Sequence, residues 1–156
     1  MATRKRASLD PDFREFIASL NSAGVRYLLL GGYAVNYYGH HRFTADINFW
    51  VAIDPDNRQR LSAALQQFGF SATSVMPDQF VEPGKVHTFG FKPVRIDLLT
   101  GPSGVDFEAC YSRRVTDVLD GVEVSIIGLA DLRDNKLASG RDKDLLDLKR
   151  LPTPHP

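Results

Sequence analysis

Cysteine is nearly missing from this chain, with Cys110 standing alone. A lone cysteine closes no internal disulfide, and without further thiols there is no cysteine cluster to hold zinc. So thiol-poor a composition suits a reducing compartment, and a cytoplasmic protein is expected. Long apolar runs are missing too. None approaches the ~18 residues of a membrane span, so no membrane partner is expected. The opening residues MATRKRASLD carry charge with no apolar stretch behind it, unlike a secretory leader. Net charge is also lacking, since 19 Lys and Arg balance 19 Asp and Glu. Proteins that hold long nucleic acid through their overall field are basic, so such a contact here would need a local patch.

What is present suits a globular α/β protein. The 156 residues are 43% hydrophobic and 24% charged, enough for one domain with a core that needs no staple. Residues 1–9 read as a flexible basic tail, 10–151 as a single domain and 152–156 as a Pro-rich tail. Asp10-Pro11 has the form of a helix start, a capping side chain followed by a proline preset for the first turn. Phe13, Phe16, Ile17 and Leu20 follow at helical spacing, and Gly24 closes the helix. Val25 to Leu30 is a short apolar strand running into Gly31-Gly32, with a short helix over 33–39. A strand is expected from Phe43 to Ile53 and a helix from Asp54-Pro55 to Phe68. Further strands are expected near Phe70 to Val75, over Val86 to Phe91 and over Val94 to Thr100. A short helix from Phe107, a hairpin turning at Asp120-Gly121, and helices over Leu129 to Ala138 and Asp142 to Leu151 complete the order.

Two features carry chemistry. In the strand after Phe43, side chains alternate, so Ile47, Phe49 and Val51 share one face while Asp46, Asn48 and Trp50 share the other. In the strand after Val94, Asp97 lies with Arg95 on the face opposite Ile96 and Leu98. Strand interiors disfavour aspartate, so two of them inside apolar strands point to a role. If the strands are neighbours, Asp46, Asn48 and Asp97 meet, and oxygen donors of that kind hold hard cations together with phosphate oxygens. The second feature is Gly31-Gly32 between strand and helix, where bare backbone N–H groups can approach an anion.

The run Gly31-Gly32-Tyr33-Ala34, then Gly39, then Arg42-Phe43-Thr44-Ala45-Asp46-Ile47-Asn48-Phe49-Trp50-Val51 resembles the signature of minimal nucleotidyltransferases of the DNA polymerase beta superfamily. Val94-Arg95-Ile96-Asp97-Leu98-Leu99 matches the later strand of that pattern. The closing stretch from Leu129 through Lys136 and Gly140-Arg141-Asp142-Lys143-Asp144 to Asp147-Leu148 is similar to the toxin–antitoxin and abortive-infection group. The resemblance implies a nucleotidyltransferase fold, with a central mixed twisted sheet flanked by helices. It implies transfer of a nucleotidyl group from an NTP, with Mg²⁺ or Mn²⁺, to a hydroxyl of a protein or of RNA such as tRNA. A cognate toxin or antitoxin would be a protein partner. On this resemblance Asp46, Asn48 and Asp97 are the metal-binding and catalytic positions, and Gly31, Gly32, Arg42, Thr44 and Lys136 bind the nucleotide.

The pattern has aspartate where this chain has Asn48. An amide offers one neutral oxygen and cannot bridge cations as a carboxylate does. Position 48 therefore leaves two functions open: a transferase, inactivated or weakened there, and a nucleotidyltransferase-fold module that binds nucleotide or a protein without turnover. Arg141 and Lys143 read either as a cationic wall with Lys136 or as solvated helix charge. Trp50 or Tyr33 would stack on a base, or pack in the core. His40-His41 and His87 read as polar surface or strand residues, and Cys110 as buried and inert.

Overall fold

The computed structural model describes residues 9–39, 43–91, 94–101 and 106–153. Among the described residues six α-helices and six strands follow one another as α1 (Pro11–Ser22), β1 (Tyr27–Leu30), α2 (Gly31–Tyr38), β2 (Asp46–Val51), α3 (Pro55–Phe68), β3 (Val86–Phe91), β4 (Val94–Leu99), α4 (Phe107–Ser112), β5 (Val115–Leu119), β6 (Val122–Ile126), α5 (Leu129–Ser139) and α6 (Asp142–Arg150). The expected caps are in place. The Asp10 carboxylate accepts from the Asp12 N–H at 2.9 Å, and that of Asp54 accepts from the Asn57 N–H at 3.1 Å. Gly69 ends α3 at φ 130°, a conformation open to glycine alone without strain. The β5–β6 hairpin turns through Asp120 and Gly121, both at positive φ, as a two-residue turn of this hand requires.

The strands form one mixed sheet in the order β3-β4-β2-β1-β6-β5. β1 runs antiparallel to β2 and parallel to β6, β2 runs parallel to β4, and β3–β4 and β5–β6 are antiparallel pairs. This is the mixed sheet flanked by helices that the resemblance implies. β1 lies at the centre with all four residues buried, which is why it reads as an unbroken apolar run.

One face of the sheet is packed by α1 and α3. Phe16 of α1 meets Phe49 of β2 with ring centroids 5.6 Å apart, and Leu20, Leu61, Leu65, Ile47, Ile96 and Leu98 are fully or almost fully buried beside them. Burying one such side chain stabilises the fold by about 1.5–3 kcal/mol. On the opposite face, Trp50 is covered by Phe107 of α4, edge to face at 5.1 Å. The same face carries the polar positions of β2 and β4.

Three boundaries differ from expectation. No strand forms near Phe70 to Val75. Two 3₁₀ turns, Ala72–Ser74 and Pro77–Phe80, take its place. The Ser74 hydroxyl donates to the Ser71 carbonyl at 2.8 Å, a local bond that competes with strand pairing. Helix α2 begins at Gly31 itself, because φ 67° there turns the chain straight out of β1. Strand β2 starts at Asp46 instead of Phe43. At the start of the chain, Leu9 is buried and donates its N–H to Asp120 at 2.7 Å, whereas the rest of the expected basic tail, residues 1–8, lies outside the described residues. Lys92-Pro93 and His40-His41 also lie outside them. Among the described residues no helix is long and apolar enough to cross a membrane.

One buried amide locks the far end of the central strands. Asn57 accepts from the Arg26 N–H at 2.8 Å and donates to the Ala52 carbonyl at 2.7 Å and the Arg26 carbonyl at 3.2 Å. Asn57→Ala takes this partner from the Arg26 N–H and the Ala52 carbonyl, while the Arg26 carbonyl keeps the Ala52 N–H, and is expected to lower stability by about 2–3 kcal/mol. Urea denaturation against the parent chain checks it.

Candidate functional site

The register of the central strands builds the site. In the β2–β4 pair, Asp46 stands opposite Arg95 and Asn48 opposite Asp97, all on the face away from α1. In the β1–β2 pair, Leu30 stands opposite Asn48, so the next residue, Gly31, lies against the Asn48 side chain. A Cβ on Gly31 would collide with the Asn48 amide. Glycine is thus required twice at position 31, by its positive φ and by this close approach.

Above the polar face lies a cavity of about 260 Å³. Gly31, Gly32, Thr44, Asp46, Asn48 and Lys136 all line it. Phe43, Leu99, Asn135, Arg141 and Lys143 contribute to its rim and wall. The first turn of α2 has no side-chain cap, so its N–H donors are left to whatever occupies the cavity beside Gly31 and Gly32. The Thr44 hydroxyl donates to the Asp46 carbonyl at 3.1 Å and so shapes the entry to β2. Arg42 lies outside the described residues.

The two acids have different surroundings. Asp97 is almost buried and does not line the cavity. Its Oδ1 accepts from the Thr88 hydroxyl at 2.8 Å and from Arg95 Nε at 3.2 Å, and its Oδ2 accepts from Arg95 Nη2 at 3.4 Å. Asp46 is half-buried. Its Oδ2 lies 3.9 Å from Arg95 Nη1, and its Oδ1 is buried with no hydrogen-bond partner. A buried carboxylate oxygen left unbonded is costly unless a cation or donor reaches it. Among the described residues no group of three or more His, Cys, Asp or Glu side chains is placed to hold a metal. The residues present fit one hard cation, with Asp46 Oδ1 as its carboxylate oxygen and the neutral Asn48 beside it.

Lys136 reaches the cavity wall from α5, but its ammonium is engaged. It lies 3.3 Å from Asp144 Oδ1 and 3.1 Å from Asp147 Oδ2, with all three side chains buried. Arg141 Nε donates to Asp144 Oδ2 at 2.7 Å. Of the residues weighed as a cationic wall or as helix charge, Lys136 and Arg141 are paired with aspartates of α6. Burial alone would push the Asp144 carboxyl up, but the Arg141 hydrogen bond and the Lys136 charge outweigh it and hold the group below its ordinary value. Helix α6 accordingly turns Asp144 and Asp147 inward and leaves Leu145 and Leu146 exposed.

No protein-family model and no curated protein matches this chain. Among solved structures, it is similar to an antigenic nucleotidyltransferase-like protein from Paracoccidioides brasiliensis, with 16% identity and a TM-score of 0.49 over 92% of this chain and 77% of that one. At that level the likeness decides nothing about the site, which must be read from its own residues.

Of the residues singled out from the sequence, Gly31, Gly32, Thr44, Asp46, Asn48 and Lys136 line one cavity, whereas Asp97 stands beside Asn48 in the sheet without lining it. Sequence reasoning missed Thr88, whose place beside Asp97 follows from the β3–β4 register. It also missed Asp144 and Asp147, which look like solvated helix charge, and Phe43. Trp50 and Tyr33, weighed as base-stacking residues, are both core residues, at 2% and 7% exposure. Phe43 is instead the aromatic ring at the cavity, 86% exposed. An apolar residue at the start of a strand looks like core, so no sequence signal marked it.

Lys136→Met removes the cation between two buried acids and is expected to cost about 3–5 kcal/mol at neutral pH. In the parent chain the folded Asp144 value lies below the unfolded one. Its contribution is therefore present above the ordinary carboxylate range and is lost as pH falls through the lowered value. The gap between Lys136→Met and the parent should thus narrow as pH drops from about 7 to about 3, where carboxylates protonate. Urea midpoints across that range measure it.

Proposed function

We propose that the chain is a Mg²⁺-dependent nucleotidyltransferase whose activity is restrained at Asn48, with an NTP bound in the cavity beside Gly31 and Asp46. The observation that carries this reading is Asp46 Oδ1, an anionic oxygen buried without a partner at the floor of a cavity entered by the uncapped N-terminus of α2. An anion-binding helix end and a cation-binding oxygen side by side suit a metal–polyphosphate ligand. Mg²⁺ or Mn²⁺ held by Asp46, with Asn48 beside it, would supply Lewis-acid stabilisation of the phosphoryl oxygens.

The chain's own groups take the remaining roles. Gly31 and Gly32 offer backbone N–H groups to phosphate, and Thr44 keeps the Asp46 backbone in place. Lys136, Arg141 and Lys143 lie along the wall where a triphosphate tail would run, and Arg42 is a further phosphate partner on the resemblance. Phe43 offers an exposed ring to a base. In the transfer, an acceptor hydroxyl oxygen of a protein or RNA bonds to the α-phosphorus. The bond to the bridging oxygen breaks and pyrophosphate leaves with that electron pair. The hydroxyl proton goes to Asp97, the base that the resemblance implies, once that side chain has let go of Arg95 and turned into the cavity that it does not line here. A cytoplasmic location, and a cognate toxin or antitoxin as partner, belong to the same proposal.

A second reading has one observation in its favour. With Asn48 in place of an acid and Arg95 lying across both aspartates, the cavity also suits a module that holds nucleotide or a protein partner without turnover. Calorimetry with ATP, CTP, GTP and UTP, each with and without Mg²⁺, separates the two, since only the transferase requires the metal. In the labelling assay, transfer from radiolabelled NTP should rise at least about tenfold in Asn48→Asp, the scale on which changes around a metal move its site. It should vanish in Asp46→Ala. Equal and robust labelling by Asn48→Asp and the parent chain would remove position 48 from the metal site.

A further inference from the structure

The acids of the cavity are already partly answered by a cation of the chain itself. Arg95 is no loose surface residue, because the β2–β4 register sets it opposite Asp46, and two steps along its own strand it shares a face with Asp97. Its guanidinium spans the two carboxylates, with Nε and Nη2 on Asp97 and Nη1 3.9 Å from Asp46. Thr88 adds its hydroxyl to Asp97. Both Asp97 oxygens therefore accept hydrogen bonds, and Asp46 Oδ1 is the carboxylate oxygen at the site that is buried without one.

Charge counting gives the same answer. Asp46 and Asp97 contribute two negative charges, Arg95 returns one positive charge, and Asn48 contributes none. Two divalent ions a few ångströms apart repel strongly and need bridging carboxylates between them. A neutral amide beside an acid already claimed by arginine provides no such bridge. We infer that the site takes a single divalent cation, on Asp46, and that Arg95 supplies the second positive charge from within the protein. Asn48 and Arg95 are then matched. An acid at position 48, next to Asp97 in the register, would call for a second ion that arginine displaces.

This inference rests on the metal–nucleotide reading of the cavity and is tested by counting ions, with no turnover required. Mn²⁺ alone is titrated into the full chain, and the free ion is followed by electron paramagnetic resonance. The parent chain is expected to saturate at one ion per chain. Arg95→Gln removes a fixed positive charge and should bind that ion roughly tenfold more tightly. Arg95→Lys, which keeps the charge, should stay close to the parent. Asn48→Asp should bind more tightly yet still hold one ion, and the double change Asn48→Asp with Arg95→Gln should hold two. Two ions in the parent chain, an outcome that requires no variant to fold, overturns the inference while leaving the metal reading intact. So does an Arg95→Gln chain of unchanged circular dichroism whose affinity does not rise. Absence of Mn²⁺ binding in the parent and in every folded variant overturns the metal reading itself, and this inference with it.

Discussion

The parallel pairing of β2 with β4 sets Asp46 beside Arg95 and Asn48 beside Asp97, and most of the cavity's chemistry depends on that register. A slip of one residue in either strand would turn its polar side chains toward α1 and α3 and its apolar ones toward solvent. The register is held because the other face is one of the best-packed parts of the protein, with Ile47, Phe49, Ile96 and Leu98 at or near complete burial. Hydrophobic packing on one side thus fixes electrostatic geometry on the other. The antiparallel β1–β2 pair does the same for Gly31, since it delivers that residue to Asn48 as a direct continuation of the strand.

Two different devices keep charge inside this fold. At the sheet, Arg95 spans Asp46 and Asp97, one almost buried and one half-buried. At the helices, Lys136 is enclosed by Asp144 and Asp147, with Arg141 closing the remaining side of Asp144. Neither arrangement gains much from Coulomb attraction once desolvation is subtracted. What both provide is position. Lys136 ties α5 to α6 at one spot on the cavity wall, and Arg95 holds Asp97 in a fixed orientation below the floor.

Much of this was legible in the sequence, for reasons that differ by residue. Asp10-Pro11 and Asp54-Pro55 gave helix starts because capping is a local matter, decided within four residues. The alternation around Asp46 and Asp97 gave their faces because a strand has a period of two. Strand neighbours are not local, so the meeting of Asp46, Asn48 and Asp97 was conditional on pairing until the sheet order was known. The failures share a cause. Asp144 and Asp147 look solvated because charged residues normally are, and only the fold shows that Lys136 waits for them. The leucines between them look like core and stand outside. Phe43 looked like part of a strand, and the chain at 70–75 chose serine-bonded turns over pairing.

The sheet also says something about the order in which the chain must assemble. β5 and β6 form a hairpin from adjacent residues, and β3 and β4 form another, so each can arise early and alone. Their common platform, β1 and β2, lies nearer the start of the chain. The β6 hairpin joins it where Leu29 pairs with Ile126, across most of the sequence. Closing so long a loop must precede the burial that rewards it. The docking of the late hairpin onto β1 is the pairing with the longest loop to close in this sheet, and before it forms one side of the central strand has unpaired backbone.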